Sequence, residues 1–364
     1  MSSREGEPAQ GAAGTAAVDG APEPAGTPAA GDLPERWLAG LDAWVVTDGK
    51  AGDEGQCLAL AEALGLAVSV RRVAPRPLYA LLAPRGPVDP RESPGVPGGP
   101  LAVPFPEILI ASGRRAVPHL RAMRRRAPET FTVFLKDPRT GAGSADFLWV
   151  PAHDRLRGPN VVATWTPPHR VSAARLAAAR AAPDHRLAAL PPPRVAVLVG
   201  GDSRHGRFRP GDADRLLADL DRLAASGASL MVTTSRRTPA PLGVALAGLV
   251  ARRGGFLHDG AGDNPYVALL ALADAVVVTG DSANMVGEAA ATGVPVLLAE
   301  GPRVSARHRR LYAHLAAEGV VRPLTGMLEA FRYKPLDATP AIARAVADAY
   351  LRHRAVQEAV EARA

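Results

Sequence analysis

The stretch AVVVTGDSANMVGEAAATGVP, residues Ala275–Pro295, decides the fold class of this chain. It begins with an apolar run rich in valine, turns at Thr279 and Gly280, and continues as a helix that Ser282 caps. A glycine ends that helix, and a proline opens the next apolar run. A strand, a small-residue turn, a helix and another strand in this order form the repeating unit of a parallel sheet whose two faces are covered by helices.

The same unit recurs on both sides of this stretch. Apolar runs that predict buried strands span 43–47, 68–73, 107–111, 132–135, 146–150, 161–164, 195–199, 229–233, 255–258, 275–279 and 294–298. Amphipathic helical stretches separate many of these runs. Strands that alternate with helices form right-handed βαβ units. The chain is therefore predicted to be an α/β protein with two Rossmann-like, doubly wound parallel-sheet domains facing a cleft.

Proline-rich segments and changes in composition predict where the domains begin and end. Residues 1–33 are rich in Gly, Ala and Pro and lack apolar periodicity, which is typical of a disordered tail. Residues 84–106 are rich in proline and glycine, and we expect them to form a flexible surface loop. The predicted parts are the disordered tail (1–33), an N-terminal Rossmann-like, acceptor-side domain (34–166), an interdomain linker (167–193), a C-terminal Rossmann-like nucleotide-binding domain (194–335) and a C-terminal helix that packs back toward the N-terminal domain (336–364).

The composition excludes several classes of protein. Hydrophobic residues make up 47% of the 364 residues, enough for two sizeable cores, and the mean hydropathy is +0.00. Cys57 is the single cysteine, so an internal disulfide and a cysteine-based metal site are excluded, and we expect a reducing compartment. Neither a signal peptide nor a run of about 18 uncharged apolar residues is evident. We therefore expect a cytoplasmic protein that is at most peripheral to the inner membrane.

The net charge of +7 predicts anionic partners. We do not expect nucleic acid among them, because the excess of arginine follows a general compositional bias and aromatic residues make up only 4%. The stretch Arg114–Arg126 (RRAVPHLRAMRRR) is strongly basic and carries apolar residues at helical spacing. It predicts either docking to an anionic membrane surface, which suits a lipid-linked or cell-envelope acceptor, or an ordinary solvated helix face.

Hydrogen-bonding residues follow nearly every predicted strand, at the sheet edge where open α/β sheets bind ligands. In the second half, Gly200 and Gly201 allow the backbone to approach an anion closely. Ser282 starts a helix whose amides point at the cleft, and Glu288 lies where a carboxylate accepts hydrogen bonds from a ribose. The alternative is a tight glycine turn and a capped helix with a solvated glutamate; neither a GK[ST] loop nor a GxGxxG fingerprint is present. The predicted nucleotide- and phosphate-binding residues are Gly200, Gly201, Asp202, Ser203, Arg204, Thr234, Ser235, Arg236, Gly280, Ser282, Asn284 and Glu288.

The first half supplies candidates for a catalytic base on the acceptor side of the cleft. Directly after predicted strands lie Asp48, Asp137, His153 and Asp154. For each one alone a turn-forming role is favoured. Lys50 and Gly52, at a helix start, predict an anion contact, with an exposed charge as the alternative. No DxD-type acidic pair follows a strand, so we expect neither a metal nor a cofactor, with a nucleotide sugar as the substrate.

Several motifs together resemble one family. They are TDGKAGDEGQ (47–56), KDPR (136–139), VPAHD (150–154), GGDSRHGRF (200–208), TTSRRTP (233–239), NPYVALLALAD (264–274) and TGDSANMVGEA (279–289). They resemble the bacterial family similar to the plant elongated-mitochondria (mitochondrial fission) factor, which is GT-B glycosyltransferase-like. The resemblance covers most of Leu41–Arg332. One departure is Asp53, where we expect a histidine, so the resemblance assigns no catalytic role to that position.

The resemblance implies a GT-B-like fold and leaves three functions open. The first is a metal-independent glycosyltransferase that takes a sugar from a nucleotide diphosphate sugar, with Arg204 or Arg236 balancing the charge of the leaving diphosphate. The second is a non-catalytic recruiter or scaffold, as the plant members imply. The third is a nucleotide-sugar epimerase or hydrolase that uses the same cleft.

Overall fold

The structure is a computed structural model that describes residues 38–202, 206–299 and 304–363. Within these residues the chain folds into two α/β domains, each built on a six-stranded parallel sheet. The predicted fold class is therefore confirmed. The predicted disordered tail at 1–33 lies outside the described residues.

The sheet of the N-terminal domain is parallel and covered on both faces. Its strands are β1 (Asp42–Thr47), β2 (Ala67–Arg72), β3 (Ile108–Ser112), β4 (Phe131–Leu135), β5 (Phe147–Pro151) and β6 (Val161–Thr164), and its helices are α1 (Ala51–Leu64), α2 (Pro77–Leu82) and α3 (Val117–Arg126). The strand order is β2-β1-β3-β4-β5-β6. Alternate residues of a strand face opposite sides, so Val45 joins the core beneath α1 and Val46 joins the core beneath α3. The inner strands are continuous apolar runs because both of their faces are buried.

The proline- and glycine-rich segment 84–106 lies on the surface of the N-terminal domain without a strand or an α-helix, and two of its residues attach it to the domain. Leu101 is fully buried in the core beneath α3. Asp89 is also buried and accepts hydrogen bonds from Arg76 Nε at 2.9 Å and Nη2 at 2.8 Å. One buried leucine and one ion pair hold a segment whose composition alone indicated mobility.

The predicted interdomain linker contains two short helices, α4 (Ala173–Ala181) and α5 (His185–Ala188). Ser172 caps α4 by accepting a hydrogen bond from the Arg175 amide. Leu176 of α4 and Leu187 of α5 belong to the hydrophobic core of the second domain. The linker residues that the sequence places between the domains therefore pack on the second one.

The sheet of the C-terminal domain repeats the same design. Its strands are β7 (Arg194–Val199), β8 (Ser229–Thr234), β9 (Gly255–His258), β10 (Ala275–Thr279), β11 (Val296–Ala299) and β12 (Val321–Pro323), and its helices are α6 (Pro210–Ala225), α7 (Ala240–Arg253), α8 (Tyr266–Leu272), α9 (Ala283–Ala290) and α10 (Ala306–Ala317). The strand order is β12-β11-β10-β7-β8-β9. The sequence did not predict β12, because only Val321 of its three residues is buried and no apolar run results.

The last helix, α11 (Thr339–Glu361), returns to the N-terminal domain. Its residues Ile342, Val346 and Tyr350 pack with Leu60 and Leu64 of α1 in one hydrophobic core. This helix closes the face of the first sheet that α1 covers only in part.

Candidate functional site

The first turns of α1 and α9 meet where the two domains touch. Gln56 Nε2 of α1 donates a hydrogen bond to Asn284 Oδ1 of α9 at 2.9 Å. A Cβ added to Gly52 would lie 3.0 Å from Asn284 Nδ2, so the two helices approach closely. Both helices follow strands, β1 and β10, and the carboxyl ends of the two sheets therefore border one cleft. The structure thus brings together Gly52 and Asn284, which were predicted from separate halves of the chain.

On the N-terminal side, two carboxylates and two lysines lie at the sheet edge. The Asp48 side chain is almost fully buried (1% exposed) and pairs with Lys50, which is exposed. Asp53, in the first turn of α1, pairs with Lys136, which follows β4. Gly113 separates the two carboxylates: a Cβ there would lie 3.3 Å from Asp53 Oδ2 and 3.5 Å from Asp48 Oδ1. These four side chains therefore form a compact, charge-balanced cluster at the sheet edge, with the exposed Lys50 at its rim.

The turn after β4 holds its backbone in a rare conformation. Lys136 has a φ of 80° and Arg139 has a φ of 63°, a region that favours glycine and costs energy for other residues. Asp137 Oδ1 accepts a hydrogen bond from the Arg139 amide at 2.8 Å. The Asp137 carboxylate thus stabilises this turn, which agrees with the turn-forming alternative, while the turn aims Lys136 at Asp53.

His153 and Asp154, which follow β5, lie against α10 of the other domain. Asp154 Oδ1 lies 3.3 Å from Arg307 Nη1, and Arg310 Nη2 donates to the His153 carbonyl at 3.3 Å. Burial lowers the pKa of His153; Arg307 and Arg310 lower it further, while Asp154 acts in the opposite direction. His153 Nδ1 is buried and has no hydrogen-bond partner among the described residues. The imidazole is therefore neutral at neutral pH, with a free ring nitrogen.

On the C-terminal side, the glycine pair after β7 holds a carboxylate of the protein itself. The Gly200 amide donates to Thr279 Oγ1 at 2.8 Å, and the Gly201 amide donates to Asp281 Oδ2 at 2.9 Å. Arg237 Nη2 donates to the same Asp281 oxygen at 3.2 Å. A Cβ on Gly200 would lie 2.2 Å from the Asp281 carboxylate, so only glycine fits. In this structure the anionic group at the glycine turn is the side chain of Asp281, which accepts the hydrogen bond from the Gly201 amide.

The loop after β8 carries two neighbouring arginines, and Arg237 is the one that contacts Asp281. Arg236 is exposed and makes no ion pair among the described residues. Its neighbour Arg237 donates to the carbonyls of Gly201 at 3.4 Å and Asp202 at 3.2 Å, in addition to Asp281. Of the remaining predicted residues here, Ser235 and Asp202 hold the loops: the Ser235 amide donates to Thr238 Oγ1 at 2.9 Å and Asp202 Oδ1 accepts from the Phe208 amide at 2.9 Å. Thr234 ends β8 half-buried beside them, and the predicted Ser203 and Arg204 lie outside the described residues.

Helix α9 carries the predicted ribose-binding carboxyl group. Ser282 caps the helix by accepting a hydrogen bond from the Met285 amide at 3.4 Å, and the Gly280 carbonyl before it accepts from Tyr312 at 3.0 Å. Glu288 Oε2 accepts a hydrogen bond from the Tyr266 hydroxyl at 2.5 Å. Burial raises the pKa of Glu288 to about 7, although the Tyr266 hydrogen bond acts in the opposite direction. The carboxyl group is therefore poised between its acid and ionised forms near neutral pH.

Among the residues described, no group of three or more His, Cys, Asp or Glu side chains is arranged to hold a metal ion. In the same part of the chain no helix is long and apolar enough to span a bilayer. Two surface cavities, of about 540 and 680 Å³, lie away from the interdomain cleft, one beneath α11 and one beside α3.

The sequence and the fold both resemble those of known proteins. Residues 51–350 match the family described as mitochondrial fission ELM1. The chain belongs to this family. The Mitochondrial fission protein ELM1 of Arabidopsis thaliana is 30% identical over 262 residues, which are 64% of this chain and 61% of that protein. An uncharacterized protein of Rickettsia prowazekii is 27% identical over 161 residues, 42% of this chain and 45% of that one, so the chain spans only about half to three fifths of these curated relatives.

The fold also matches a solved structure outside the family. The UDP-GlcNAc 2-epimerase from Methanocaldococcus jannaschii superposes with a TM-score of 0.51 at 8% sequence identity, over 84% of this chain and 99% of the epimerase. This likeness concerns the fold. Two parallel six-stranded sheets that border a cleft are the GT-B arrangement, so the predicted fold is confirmed, while the family match over residues 51–350 confirms the predicted family.

The sequence did not predict several residues whose side chains form hydrogen bonds or ion pairs at this site. Their partners are distant in sequence, so only the folded structure shows these contacts. These residues are Asp53, Gln56, Lys136, Arg237, Tyr266, Asp281, Arg307 and Arg310. Asp53 had one signal: it stands where the family pattern led us to expect a histidine, and its pairing with Lys136 shows that an anion suits the position.

Proposed function

We propose that this protein binds a nucleotide diphosphate sugar in the interdomain cleft and transfers the sugar, without a metal or other cofactor, to an acceptor on the side of the N-terminal domain. The observation that carries the proposal is the placement of α9. Its capped start faces the first domain through the Gln56–Asn284 contact, and Glu288 lies further along the same helix. A helix start favours a diphosphate, and a carboxylate suits a ribose diol.

The charged cluster of the first domain would face the sugar and the acceptor. Asp48 is the candidate base that the geometry supports best, because its buried Oδ1 has no hydrogen-bond partner among the described residues. His153 and Asp154 are further candidates, and Asp137 is the weakest because its carboxylate is bound in a turn. Lys50, exposed beside Asp48, is proposed as the anion contact at the rim.

The relatives in fold support the nucleotide sugar as ligand class. The superposed epimerase acts, by its name, on UDP-GlcNAc, and the shared two-domain architecture makes this donor the first to test. For the acceptor we propose a lipid-linked or cell-envelope molecule, with the protein in the cytoplasm and peripheral to the membrane. The basic α3 region supports this location.

A recruiter or scaffold is the second candidate function, and one observation favours it. Asp281 already occupies the anion position at Gly200 and Gly201, so a phosphate would have to displace it. The relative from Arabidopsis thaliana is, by its name, a mitochondrial fission protein. A scaffold would keep such an internal ion pair without needing nucleotide binding.

The test is product analysis with UDP-GlcNAc, with and without a membrane lipid extract. Release of UDP that requires the extract, and that is lost in Asp48→Asn, supports the transferase. Asp214→Asn, at an exposed position of α6, is the matched control and is expected to retain the activity. Release or epimerisation without an extract would assign a hydrolase or epimerase instead, and the absence of any turnover together with the absence of nucleotide binding would leave the scaffold.

A further inference from the structure

Helix α2 presents leucine side chains to solvent. Leu78, Leu81 and Leu82 are 61%, 73% and 47% exposed, and Ala80 is the one buried residue of the helix. Burial of a leucine side chain is favourable, and three exposed leucines on one short helix keep a large apolar area in water. Clustered exposed leucines mark a surface that binds another apolar surface.

Arg114 fixes this helix on the domain. Its Nη1 donates to the Ala83 carbonyl at 2.7 Å, and its Nη2 donates to the Ala80 carbonyl at 2.7 Å. These carbonyls belong to the end of α2, where intrahelical partners are lacking. The leucines are therefore displayed by a helix whose last turn is anchored to the residues just before α3.

An arginine-lined cleft borders the end of α2. The cleft has a volume of about 680 Å³ and is lined by Arg85, Arg121, Arg124, Arg125, Thr140, Gly143 and Ser144. Arg121 Nη1 donates to the Arg85 carbonyl at 3.1 Å, which ties α3 to the chain three residues beyond α2. Arg124 pairs with Asp146 at 2.9 Å, whereas the other three arginines make no ion pair with a carboxylate among the described residues.

We propose that α2 and this cleft form one docking surface for an anionic phospholipid bilayer. In this arrangement the leucines enter the interfacial region of the bilayer, and the arginines contact lipid phosphates beside them. Nucleic acid would pair its phosphates with the arginines but would leave the leucines in water. A bilayer both pairs with the arginines and buries the leucines, and it is therefore the favoured partner. The inference rests on the peripheral membrane location proposed above and names the residues that make the membrane contact.

The test is co-sedimentation of the full chain with vesicles of phosphatidylcholine, with or without phosphatidylglycerol. We expect binding to the anionic vesicles alone, weakening as salt is added. The pair Arg85→Gln and Arg125→Gln is expected to weaken binding about thirtyfold. The pair Leu78→Ser and Leu81→Ser is expected to weaken it tenfold or more, at about 0.8 kcal/mol for each methylene that leaves the bilayer.

The matched control is the pair Val244→Ser and Arg252→Gln on α7, which removes an exposed valine and an exposed arginine from the second domain and is expected to bind like wild type. Binding that only the arginine pair weakens would indicate a polyanion site and overturn the proposal. Equal binding to both vesicles, no binding by wild type, or a dimer that the leucine pair abolishes would also overturn it. Nucleotide binding by the same variants, followed by calorimetry, is expected to be unchanged. Loss of vesicle binding is therefore distinguishable from loss of nucleotide binding in the interdomain cleft.

Discussion

Replacing Glu288 by glutamine is expected to stabilise the protein above neutral pH and to leave it unchanged in acid. Burial raises the pKa of Glu288 to about 7 from an ordinary value of 4.5. Between these values the folded state holds a proton that the unfolded state has lost. The stabilisation by the neutral acid is therefore complete below pH 4.5 and is lost as pH rises through 7.

The magnitude follows from the distance between the two pKa values. At about 1.4 kcal/mol for each pH unit, ionising Glu288 in the fold costs at most about 3 kcal/mol. Glu288→Gln stays neutral at every pH, and its amide oxygen still accepts the hydrogen bond from the Tyr266 hydroxyl. The variant should therefore gain up to about 3 kcal/mol over wild type above pH 7.

The assay is urea unfolding of both proteins, followed by circular dichroism across this pH range. Glu361→Gln, at the exposed end of α11, is the matched control for loss of a surface carboxyl group and should follow wild type. A difference between Glu288→Gln and wild type that does not change with pH would refute the assigned pKa. A variant that is less stable than wild type above pH 7 would show that the carboxylate, not the acid, is the form that the fold holds.

Three further predictions concern the contacts that build the cleft. Gly201→Ala should lower the unfolding free energy by about 1–3 kcal/mol in a thermal melt, because the added Cβ would lie 2.0 Å from a backbone carbonyl of the facing loop. Gly211→Ala is the control and should not lower it, because a Cβ at that position has no neighbouring atom within 4 Å. Asp281→Asn should tighten binding of inorganic pyrophosphate roughly tenfold in calorimetry, since it removes a negative charge from the anion position; an unchanged affinity would place the anion elsewhere. A double-mutant cycle of Gln56→Ala and Asn284→Ala should give a coupling free energy of about 1 kcal/mol in denaturant unfolding, and strictly additive effects would contradict the hydrogen bond between the domains.

The strands of both sheets were predictable because a buried parallel strand leaves a continuous apolar run in the sequence. The run 275–279 matches β10, and 229–233 matches β8 to within a residue. The short edge strand β12 left no such pattern, and the apolar run of α2 (77–82, PLYALL) forms an exposed helix instead of a buried strand. The surface position of segment 84–106 was predictable from its composition, whereas the burial of Leu101 within it was not.

The residues at the strand ends could be named from the sequence, whereas the side-chain contacts between them could not. Ligand-binding residues follow strand ends in any open α/β sheet, so residues such as Asp48 and Ser282 could be named from spacing alone. Their partners come from distant parts of the chain. Lys136 lies far from Asp53 in sequence, and nothing in the motif after β7 indicates that Asp281 fills the glycine turn.

The most direct test of the central claim is calorimetric titration of the full chain with a panel of nucleoside diphosphates and their sugars, UDP-GlcNAc among them, in wild type and Glu288→Ala. The proposed donor site predicts that one nucleotide binds selectively and that the substitution weakens its binding roughly tenfold, because the carboxyl group proposed to hydrogen-bond the ribose is lost. Gly211→Ala, remote from the cleft contacts, should bind like wild type. The absence of binding by every nucleotide at millimolar concentration, or equal affinity in wild type and Glu288→Ala, would contradict the proposed donor site.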